Sequence, residues 1–599
     1  MTMLGAHVEG GRTRFAVRSP HAHRVWLCRF DGDVETRHLM ERGGSDWTIT
    51  LPGDLAGTRY GYRAAGEWAP DKGLWFDPAK LLVDPYAVAL DRRFVQDPRL
   101  ALFGEDTADI APRAVVPSPL IALTPERPRF ARGGLVYELN VRAFTMLHPD
   151  VPESLRGTVA ALAHPAVLGY LKKIKVTAVE LMPVVAWIDE RHLPSLGLVN
   201  SWGYNPIAMM ALDPGLCPGG VAELRDTVAA LHAEGIGVLL DLVFNHSGES
   251  DTAGGILSLR GLDDAAYSRA PNGDLINDTG CGNTLDFSNP AVRRLTVDTM
   301  RHFVVHCGVD GFRFDLAPVL ARGPGFDPAA PIFAEISADA SLADRIFIAE
   351  PWDIGPGGYQ LGQFPENWLE WNDRFRDDVR RFWKGEGGIG ALATRLAGSS
   401  DIFGQQSDRG CRSVNFLAAH DGFTLADMVA YEQRHNWANG EQNRDGHGEN
   451  FSWNNGVEGP SDDAAVIAAR RVDIKALLGT LFASSGTIML TAGDEFGRTQ
   501  QGNNNGYCQD NAIGWVDWVG RDQDLENYVG ALSAERAAHL SCYERFPAPV
   551  RWLTREGGAM AVTDWERAGE GWLNCAAEDE NVPFAFRIDR AARCVKIGP

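Results

Sequence analysis

The segment DGFRFDLA (310–317) is a short, mostly apolar run that carries Arg313 and ends near Asp315. Two later runs have the same form: RIFIAEPWD contains Glu350 and NFLAAHDGFT contains Asp421. Apolar runs of this length are typical of buried strands, where an unpaired carboxylate is costly. A carboxylate just past the run lies instead at the carboxyl edge of a sheet, where β/α barrels place their catalytic residues. Any one of these acids is more simply explained as a helix cap, but the three together predict a carboxylate active site.

The chain around these runs alternates between strand-like and helix-like segments from about residue 133 onward. Further strands are predicted in GLVYELNVRAF, VTAVELMPV, GIGVLLDLVFNH and GTIMLTAGDE, and one more near LEWND. Amphipathic helices are predicted in AVLGYLKKIK, VAELRDTVAALHAEG, NPAVRRLTVDTMRHFVVHCG and RRVDIKALLGTLFASSG. This alternation implies an α/β protein with a parallel sheet, and the number of apolar strands favours a closed (β/α)8 TIM barrel over an open sheet.

Changes in rhythm along the chain predict three domains. Residues 1–125 contain short alternating runs broken by Gly, Pro or Asp, which indicates an N-terminal β-sandwich. The barrel is expected over 126–547, with a polar stretch at about 247–290 that is too long for an ordinary loop and predicts a functional insertion. A weaker β pattern over 548–599 predicts a short C-terminal β domain.

Net charge restricts the class of partner. With 79 acidic against 57 basic residues the chain carries a net charge of −22. Such a surface disfavours nucleic acids and anionic membranes, because both require an excess of Lys and Arg. It is compatible with an uncharged polysaccharide. The sequence does not predict an oligomeric state.

The cysteines and the apolar segments indicate a cytoplasmic protein. Nine cysteines without close CxxC pairs predict neither a disulfide framework nor a zinc site. No apolar run approaches the length of a membrane span, and MTMLGAHVEGGRTRF lacks the pattern of a signal peptide. We expect no cofactor.

The neighbours of the three acids suggest separate chemical roles. Cleavage of a glycosidic bond with retention requires a carboxylate nucleophile and a carboxylic acid roughly 5–5.5 Å apart. Arg313 lies two positions before Asp315, so the two side chains share a face and the guanidinium favours an ionised nucleophile. The alternative is a buried ion pair that only holds the strand. Desolvation after an apolar run raises the pKa of Glu350, which suits a general acid, and His420 beside Asp421 can donate to sugar hydroxyls.

Four segments resemble the ordered signatures of the α-amylase superfamily, glycoside hydrolase family 13: DLVFNH (241–246), GFRFD (311–315), the AEPW motif and AAHD (418–421). The resemblance implies that Asp315 is the nucleophile, Glu350 the acid/base and Asp421 a third carboxylate that binds hydroxyls of the distorted sugar. It also implies further substrate-binding residues around that sugar: Arg313, His246, His420, and Tyr204 with Trp202 in NSWGYNP.

More of the chain resembles one branch of this superfamily. NSWGYNP, TGCGNTLDFSNP, AEPWDIGPGGYQLGQFP, EWNDRFRDDVRRFW, NGEQNRDGHGENFSWNNG and GNNNGYCQDN are similar to segments of the isoamylase-type bacterial glycogen debranching enzymes. The N-terminal part resembles carbohydrate-binding module family 48. The resemblance implies hydrolysis of α-1,6 branch linkages in glycogen or limit dextrin, a branched α-glucan. An α-1,4-glucan hydrolase, a glucanotransferase of the same superfamily, and an inactive glucan-binding protein remain alternatives.

Two features depart from the pattern or have two interpretations. Calcium-dependent amylases place Lys–His shortly after the nucleophile, whereas this chain has LAPVL there, so we predict no metal. Asn503, Asn504, Asn505 and Asp510 either bind glucosyl hydroxyls at the rim of the cleft or form a self-bonded polar turn. The tryptophans of the N-terminal domain are expected to pack its core rather than to stack on glucan.

Overall fold

A computed structural model describes residues 3–404, 410–547, 550–565, 571–578 and 584–598. Its strands in chain order are β1 (Gly5–Glu9), β2 (Arg12–Arg18), β3 (Arg24–Asp31), β4 (Val34–Leu39), β5 (Glu41–Gly43), β6 (Asp46–Pro52), β7 (Arg59–Ala65), β8 (Trp68–Ala69), β9 (Leu74–Trp75), β10 (Ala114–Val115), β11 (Leu135–Leu139), β12 (Ala178–Leu181), β13 (Val185–Trp187), β14 (Pro206–Leu212), β15 (Gly237–Leu242), β16 (Gly311–Phe314), β17 (Ile346–Ala349), β18 (Leu369–Asn372), β19 (Ser413–Asn415), β20 (Thr487–Thr491), β21 (Val550–Leu553), β22 (Trp572–Ala577), β23 (Ala585–Asp589) and β24 (Cys594–Ile597).

The α-helices lie mainly between the strands of the central part. They are α1 (Val141–Thr145), α2 (Pro165–Lys173), α3 (Leu193–Leu196), α4 (Gly220–Ala233), α5 (Leu259–Leu262), α6 (Pro290–Cys307), α7 (Pro331–Ala338), α8 (Asp373–Lys384), α9 (Ile389–Leu396), α10 (Ser400–Phe403), α11 (Leu425–Met428), α12 (Ala464–Ala483), α13 (Gln523–Ala538) and α14 (Val562–Trp565).

The N-terminal part is a β-sandwich of two antiparallel sheets, ordered β1-β2-β6-β5 and β10-β7-β3-β4. Alternating side chains such as Phe15, Leu27 and Tyr60 are buried between the sheets, as expected when one face of each strand points into a core. Trp47 is also buried, and its indole N–H donates a hydrogen bond of 2.9 Å to the carbonyl of Ser19. Trp47 therefore packs the sandwich, as predicted.

The sandwich contacts the polar stretch at 247–290. Ser19 donates to the carbonyl of Leu262 at 2.6 Å, and Arg18 Nε lies 2.8 Å from Asp263 Oδ2. The stretch therefore joins the N-terminal sheets to the barrel, and its functional role stays a prediction.

The central part is a closed barrel of parallel strands in the order β11-β12-β15-β16-β17-β18-β19-β20, which confirms the predicted (β/α)8 fold. The strand expected near LEWND is β18. The register places Asp241 of β15 opposite Arg313 of β16, and Glu138 of β11 opposite Glu180 of β12. Two positions earlier on three of these strands lie Val136, Ala178 and Leu239, which form part of an apolar cluster with Ile348 and Met489. Because side chains two positions apart share a face, apolar residues fill the barrel below the charged ones.

The C-terminal part is one four-stranded antiparallel sheet, ordered β21-β22-β23-β24, which confirms the short β domain. Leu573, Phe586 and Ile588 are buried, and β24 packs on α12 near Gly479. The predicted boundary at residue 548 lies outside the described residues, as do residues 579–583 of the predicted β domain. The domain boundaries stay predictions.

All nine cysteines are free thiols. Burial raises the pKa of Cys281 to about 12 and that of Cys411 to about 11. In the part of the chain that the structure describes, none of the helices has both the length and the apolar character needed to cross a membrane.

Gly311, at the start of β16, provides a test of how tightly the barrel is packed. A β-carbon at this position would lie 2.1 Å from the carbonyl oxygen of Ile346 on β17. We expect Gly311→Ala to lower the free energy of unfolding by about 1–3 kcal/mol, because the neighbouring backbone must move. Gly390→Ala in α9 is a suitable control, since a β-carbon there meets nothing within 4 Å. Equal unfolding free energies for the two variants in urea titrations would contradict this account of the barrel.

Candidate active site

The three acids predicted from the sequence lie at the carboxyl ends of barrel strands. Asp315 directly follows β16, Glu350 directly follows β17, and Asp421 lies in the loop after β19. The helical turn after Asp315 has Leu316 as its N-cap residue, and α11 after Asp421 has Thr424. Neither aspartate therefore serves as the cap of the helix that follows it.

Arg313 contacts two of these acids from below. Its Nη1 lies 3.1 Å from Asp315 Oδ1 and 3.1 Å from Asp241 Oδ1. Its Nη2 lies 2.9 Å from Glu350 Oε2, an ion pair that lacks hydrogen-bond alignment. Trp371 packs against the guanidinium, with its ring centroid 4.3 Å from Cζ. Burial by itself lowers the pKa of Arg313, but Asp241 and Glu350 raise it well above its ordinary value, so the cation persists.

Asp315 is held by a second neighbour, Asn245. The Asn245 amide donates to Asp315 Oδ2 at 2.7 Å and to the Asp315 carbonyl at 2.8 Å. Behind Asn245, His246 Nδ1 lies 2.5 Å from the Asn245 side-chain oxygen, and Nε2 lies 3.0 Å from the Tyr204 carbonyl. His246 is buried, so the structure places it behind Asn245 rather than at the cleft surface.

Glu350 is buried beside the aspartate. It accepts a hydrogen bond of 2.8 Å from the backbone N–H of Leu316. Burial raises the pKa of Glu350 above its ordinary value; Arg313 opposes this shift and the charge of Asp315 adds to it. A carboxyl group in this environment keeps its proton at neutral pH, as a general acid must. Leu316 has a φ of 40°, a left-handed conformation that is costly for leucine and that recurs at functional sites.

Asp421 is the most accessible of the three acids, with 32% of its side chain exposed. Its Oδ2 lies 3.1 Å from His447 Nε2. Burial by itself raises the pKa of Asp421, but the His447 hydrogen bond and the charge of His420 hold it below its ordinary value. His420 Nδ1 lies 2.7 Å from Glu138 Oε1. Burial lowers the pKa of His420, but the Glu138 carboxylate outweighs it and raises the pKa to about 9.

Aromatic rings form one wall beside these groups. Tyr204 stacks on His420 with centroids 4.8 Å apart and an interplanar angle of 27°. Trp202 packs edge-on against both rings. The Tyr204 hydroxyl donates to Asp241 Oδ2 at 2.5 Å. The structure therefore brings Tyr204, Trp202 and His420 together with Arg313.

Asn503 and Asp510 have polar partners inside the protein instead. Asn503 is buried and donates to Asn439 Oδ1 at 2.8 Å. Asp510 accepts from Arg142 Nε, with distances of 2.8 and 2.7 Å to its two oxygens. Neither side chain is hydrogen-bonded to the three acids within the described ranges. Their role in substrate binding stays a prediction.

The chain is similar in sequence to known proteins over most of its length. Residues 3–87 match carbohydrate-binding module 48, the isoamylase N-terminal domain. The chain is 46% identical over 587 residues to the glycogen debranching enzyme of Serratia proteamaculans (strain 568), covering 94% of this chain and 88% of that protein. It is 47% identical over 583 residues to the glycogen debranching enzyme of Dickeya chrysanthemi, covering 94% and 89%. The chain belongs to the glycogen debranching enzyme family. The predicted resemblance is confirmed.

Solved structures agree with this family on the fold. Pullulanase type I from Bacillus subtilis str. 168, complexed with maltose, superposes with a TM-score of 0.74 at 21% identity, covering 98% of this chain and 78% of that one. A pullulanase from Anoxybacillus sp. LM18-11, complexed with maltotriose, gives a TM-score of 0.67 at 25% identity, covering 90% and 73%.

Several residues at the site of this debranching-family chain were not predicted. Glu138 and Asp241 carried a usable signal, because each is an acid within an apolar strand run. Asn245 lies within DLVFNH, and its contact with Asp315 follows from its position just past β15. His447 carried no signal, since it lies in a long polar loop far along the chain from Asp421.

No metal-binding cluster is found in the described parts of the chain: none of their His, Cys, Asp and Glu residues form a group of three or more suited to a metal ion. The expectation of no metal and no cofactor stays a prediction.

Glu180 is a buried acid with no evident partner. Within the ranges that the structure describes, neither side-chain oxygen of Glu180 has a hydrogen-bond partner, and the residue is fully buried. Burial raises the pKa of Glu180 well above its ordinary value, and the charges of Asp241 and Glu138 act in the same direction. Burial therefore favours the protonated form of Glu180 in the folded protein.

Replacing Glu180 with glutamine should change how the free energy of unfolding depends on pH. In the unfolded chain Glu180 ionises near its ordinary pKa of about 4.3, whereas in the folded chain burial raises its pKa above that value. Wild type therefore loses stability relative to Glu180→Gln as pH rises above that value, by up to about 1.4 kcal/mol per pH unit until the folded pKa is reached. Urea titrations from pH 5 to 8 measure the difference. Exposed Glu153→Gln should follow wild type. Parallel curves for Glu180→Gln and wild type would show that Glu180 is ionised.

Proposed function

We propose that this chain hydrolyses the α-1,6 branch linkages of glycogen or its limit dextrins with retention of configuration. The observation that carries the proposal is the buried Arg313, which contacts both Asp315 and Glu350 at the carboxyl edge of the barrel. One guanidinium in contact with both groups keeps them near each other, as the short separation in retaining glycosidases requires. The relatives that align with 94% of the chain are named glycogen debranching enzymes, which supports the choice of linkage.

The first step uses the two groups that touch Arg313. A side-chain oxygen of Asp315 attacks the anomeric carbon while Glu350 transfers its proton to the departing glycosidic oxygen. The bond between carbon and that oxygen breaks, and a glycosyl ester forms on Asp315. Glu350 is then an anion 2.9 Å from the guanidinium, which stabilises the new charge.

The second step releases the sugar. Glu350, now a carboxylate, accepts a proton from a water molecule as that water attacks the anomeric carbon. The ester bond breaks, and both carboxyl groups return to their starting states. Arg313 keeps its charge throughout, because the surrounding carboxylates favour its protonated form.

The remaining groups are proposed to bind the sugar of the broken bond. Asp421 accepts hydrogen bonds from hydroxyls of the sugar ring. His447 contacts its Oδ2, and within the described residues Oδ1 has no hydrogen-bond partner, so Oδ1 is open to the sugar. His420, held by Glu138, presents its second ring nitrogen to the same sugar. Tyr204 offers an aromatic face for stacking, with Trp202 beside it.

We propose a branched α-glucan as the partner and the cytoplasm as the location. The net charge of −22 argues against nucleic acid and anionic membranes. Nine free thiols are typical of a reducing compartment.

Linkage specificity is tested by comparing a branched with a linear substrate. Phosphorylase limit dextrin should yield short linear maltooligosaccharides, whereas linear amylose should remain intact, because only the dextrin contains α-1,6 bonds. Chromatographic product profiles measure both. Shortening of amylose would identify an α-1,4 hydrolase, and new longer chains would identify a transferase.

The two catalytic assignments are tested by separate variants. Asp315→Ala removes the nucleophile and should lower kcat roughly 10⁴-fold or more while glucan binding persists. Glu350→Gln should lower kcat about 10²–10⁴-fold and abolish the decline of activity at alkaline pH, since that decline reflects loss of the Glu350 proton. Glu350→Gln should lower kcat less on an aryl glucoside whose leaving group departs without a proton. Glu335→Gln on the outer helix α7 is the matched control, and wild-type rates for Asp315→Ala would rule out the mechanism.

A further inference from the structure

Asn504 links the loop of Asp421 to the loop of His447. Its side-chain amide donates to the backbone carbonyl of His447 at 2.9 Å. The backbone carbonyl of Asn504 accepts from the backbone N–H of Gly422 at 2.9 Å. His447 in turn contacts Asp421 at 3.1 Å. We propose that Asn504 is a positioning residue that fixes His447 on Asp421, the third carboxylate of the proposed debranching site.

Asn504 has no free polar group with which to act on substrate. Its backbone N–H donates to Asn436 Oδ1 at 2.9 Å, and Asn436 Nδ2 donates back to Asn504 Oδ1 at 2.8 Å. The second hydrogen of the Asn504 amide is directed to Asn450 Oδ1 at 3.0 Å. The residue is buried, so the fully satisfied network fixes a single orientation. This arrangement favours an internal linking role over the rim-binding role considered from the sequence.

The loop is shaped to approach Asn504 closely. Gly446, the residue before His447, has a φ of 74°, and a β-carbon there would lie 2.3 Å from Asn504 Oδ1. Only glycine combines this backbone conformation with that approach. The position of His447 is thus set by its neighbour in sequence as well as by the hydrogen bond to its carbonyl.

His447 depends on this anchor because its side chain is otherwise free to move. About half of the side chain is exposed, at 49%, and the imidazole has one hydrogen-bond partner in the described residues, Asp421. By occupying Asp421 Oδ2, it leaves Oδ1 for a sugar hydroxyl and limits rotation of the carboxylate. Precise placement of such a group is worth up to about 10²-fold in rate.

The same contact lowers the pKa of Asp421. The other charged groups around it come from three places: His420 in the loop after β19, Glu350 directly after β17, and Arg376 and Arg380 on α8. Of the groups that lower the pKa of Asp421, the His447 hydrogen bond contributes most. Release of His447 therefore raises the pKa of Asp421 and moves the acidic limb of the rate profile to higher pH.

The test is a double-mutant cycle on a branched maltodextrin. Asn504→Ala removes the side-chain bonds to His447, Asn450 and Asn436 but keeps the backbone bonds to Gly422 and Asn436. We expect Asn504→Ala and His447→Ala each to lower kcat about tenfold or more, with a smaller change in KM and an acidic limb at higher pH. The double variant should be no slower than His447→Ala, because Asn504 acts on the rate through the contact between His447 and Asp421, which His447→Ala already removes. Multiplicative losses would overturn the proposal.

Asn505→Ala is the matched control within the same triplet. Asn505 donates to Asp445 Oδ2 at 2.9 Å and contacts neither His447 nor Gly422. We expect kcat within about twofold of wild type, even where the melting temperature falls. An equal loss of kcat in Asn505→Ala and Asn504→Ala would reduce Asn504 to a general loop contact and overturn the proposal.

Crystal structures of the Asn504→Ala and Asn505→Ala variants separate this proposal from the proposed function. The imidazole of His447 should leave Asp421 in the first variant and remain in the second, whatever the substrate. An unmoved His447 in Asn504→Ala overturns the positioning role. A wild-type protein inactive on α-1,6 bonds overturns the function while the crystallographic result stands.

Discussion

The ion cluster around Arg313 is the constraint on which the rest of the site depends. A buried guanidinium is costly unless its charge is compensated, and acidic side chains contact Arg313 from three neighbouring strands: Asp241, Asp315 and Glu350. Removal of the cation would leave three acids facing one another in a buried space. The strand ends are therefore tied together by charge as well as by backbone hydrogen bonds. The same cation stabilises Glu350 whenever that group loses its proton.

A barrel interior is normally filled by branched apolar residues, and here that rule holds only in the lower part. Val136, Leu239 and Met489 belong to an apolar cluster, and the positions two residues further along the strands bear charged or polar groups. Burial raises the pKa values of Glu180 and Asp241, and the charges of nearby carboxylates add to these shifts. Stability from the apolar layers below offsets the cost of this polar layer above them.

The extent to which sequence predicts such a site depends on the range of the contacts involved. Strand-end acids and the shared face of Arg313 and Asp315 follow from a period of two residues. The barrel and the closeness of these two groups can therefore be predicted from the sequence. Buried side chains that join distant loops leave no periodic trace. Asn504 and Asn436 are 68 positions apart, and their pairing depends on how two loops fold over the barrel. The same limit explains why His447 was missed and why buried Asn503 was considered for the cleft rim.

Leu316 has a consequence for how the two proposed catalytic groups move. The amide N–H that binds Glu350 belongs to the residue immediately after Asp315, and the backbone there is held in a left-handed turn. The proposed nucleophile, Asp315, and the N–H donor of Glu350 therefore belong to adjacent residues joined by one peptide linkage. A small rotation that advances Asp315 towards a sugar also shifts the donor of Glu350. The positions of the two groups are therefore coupled through this backbone turn.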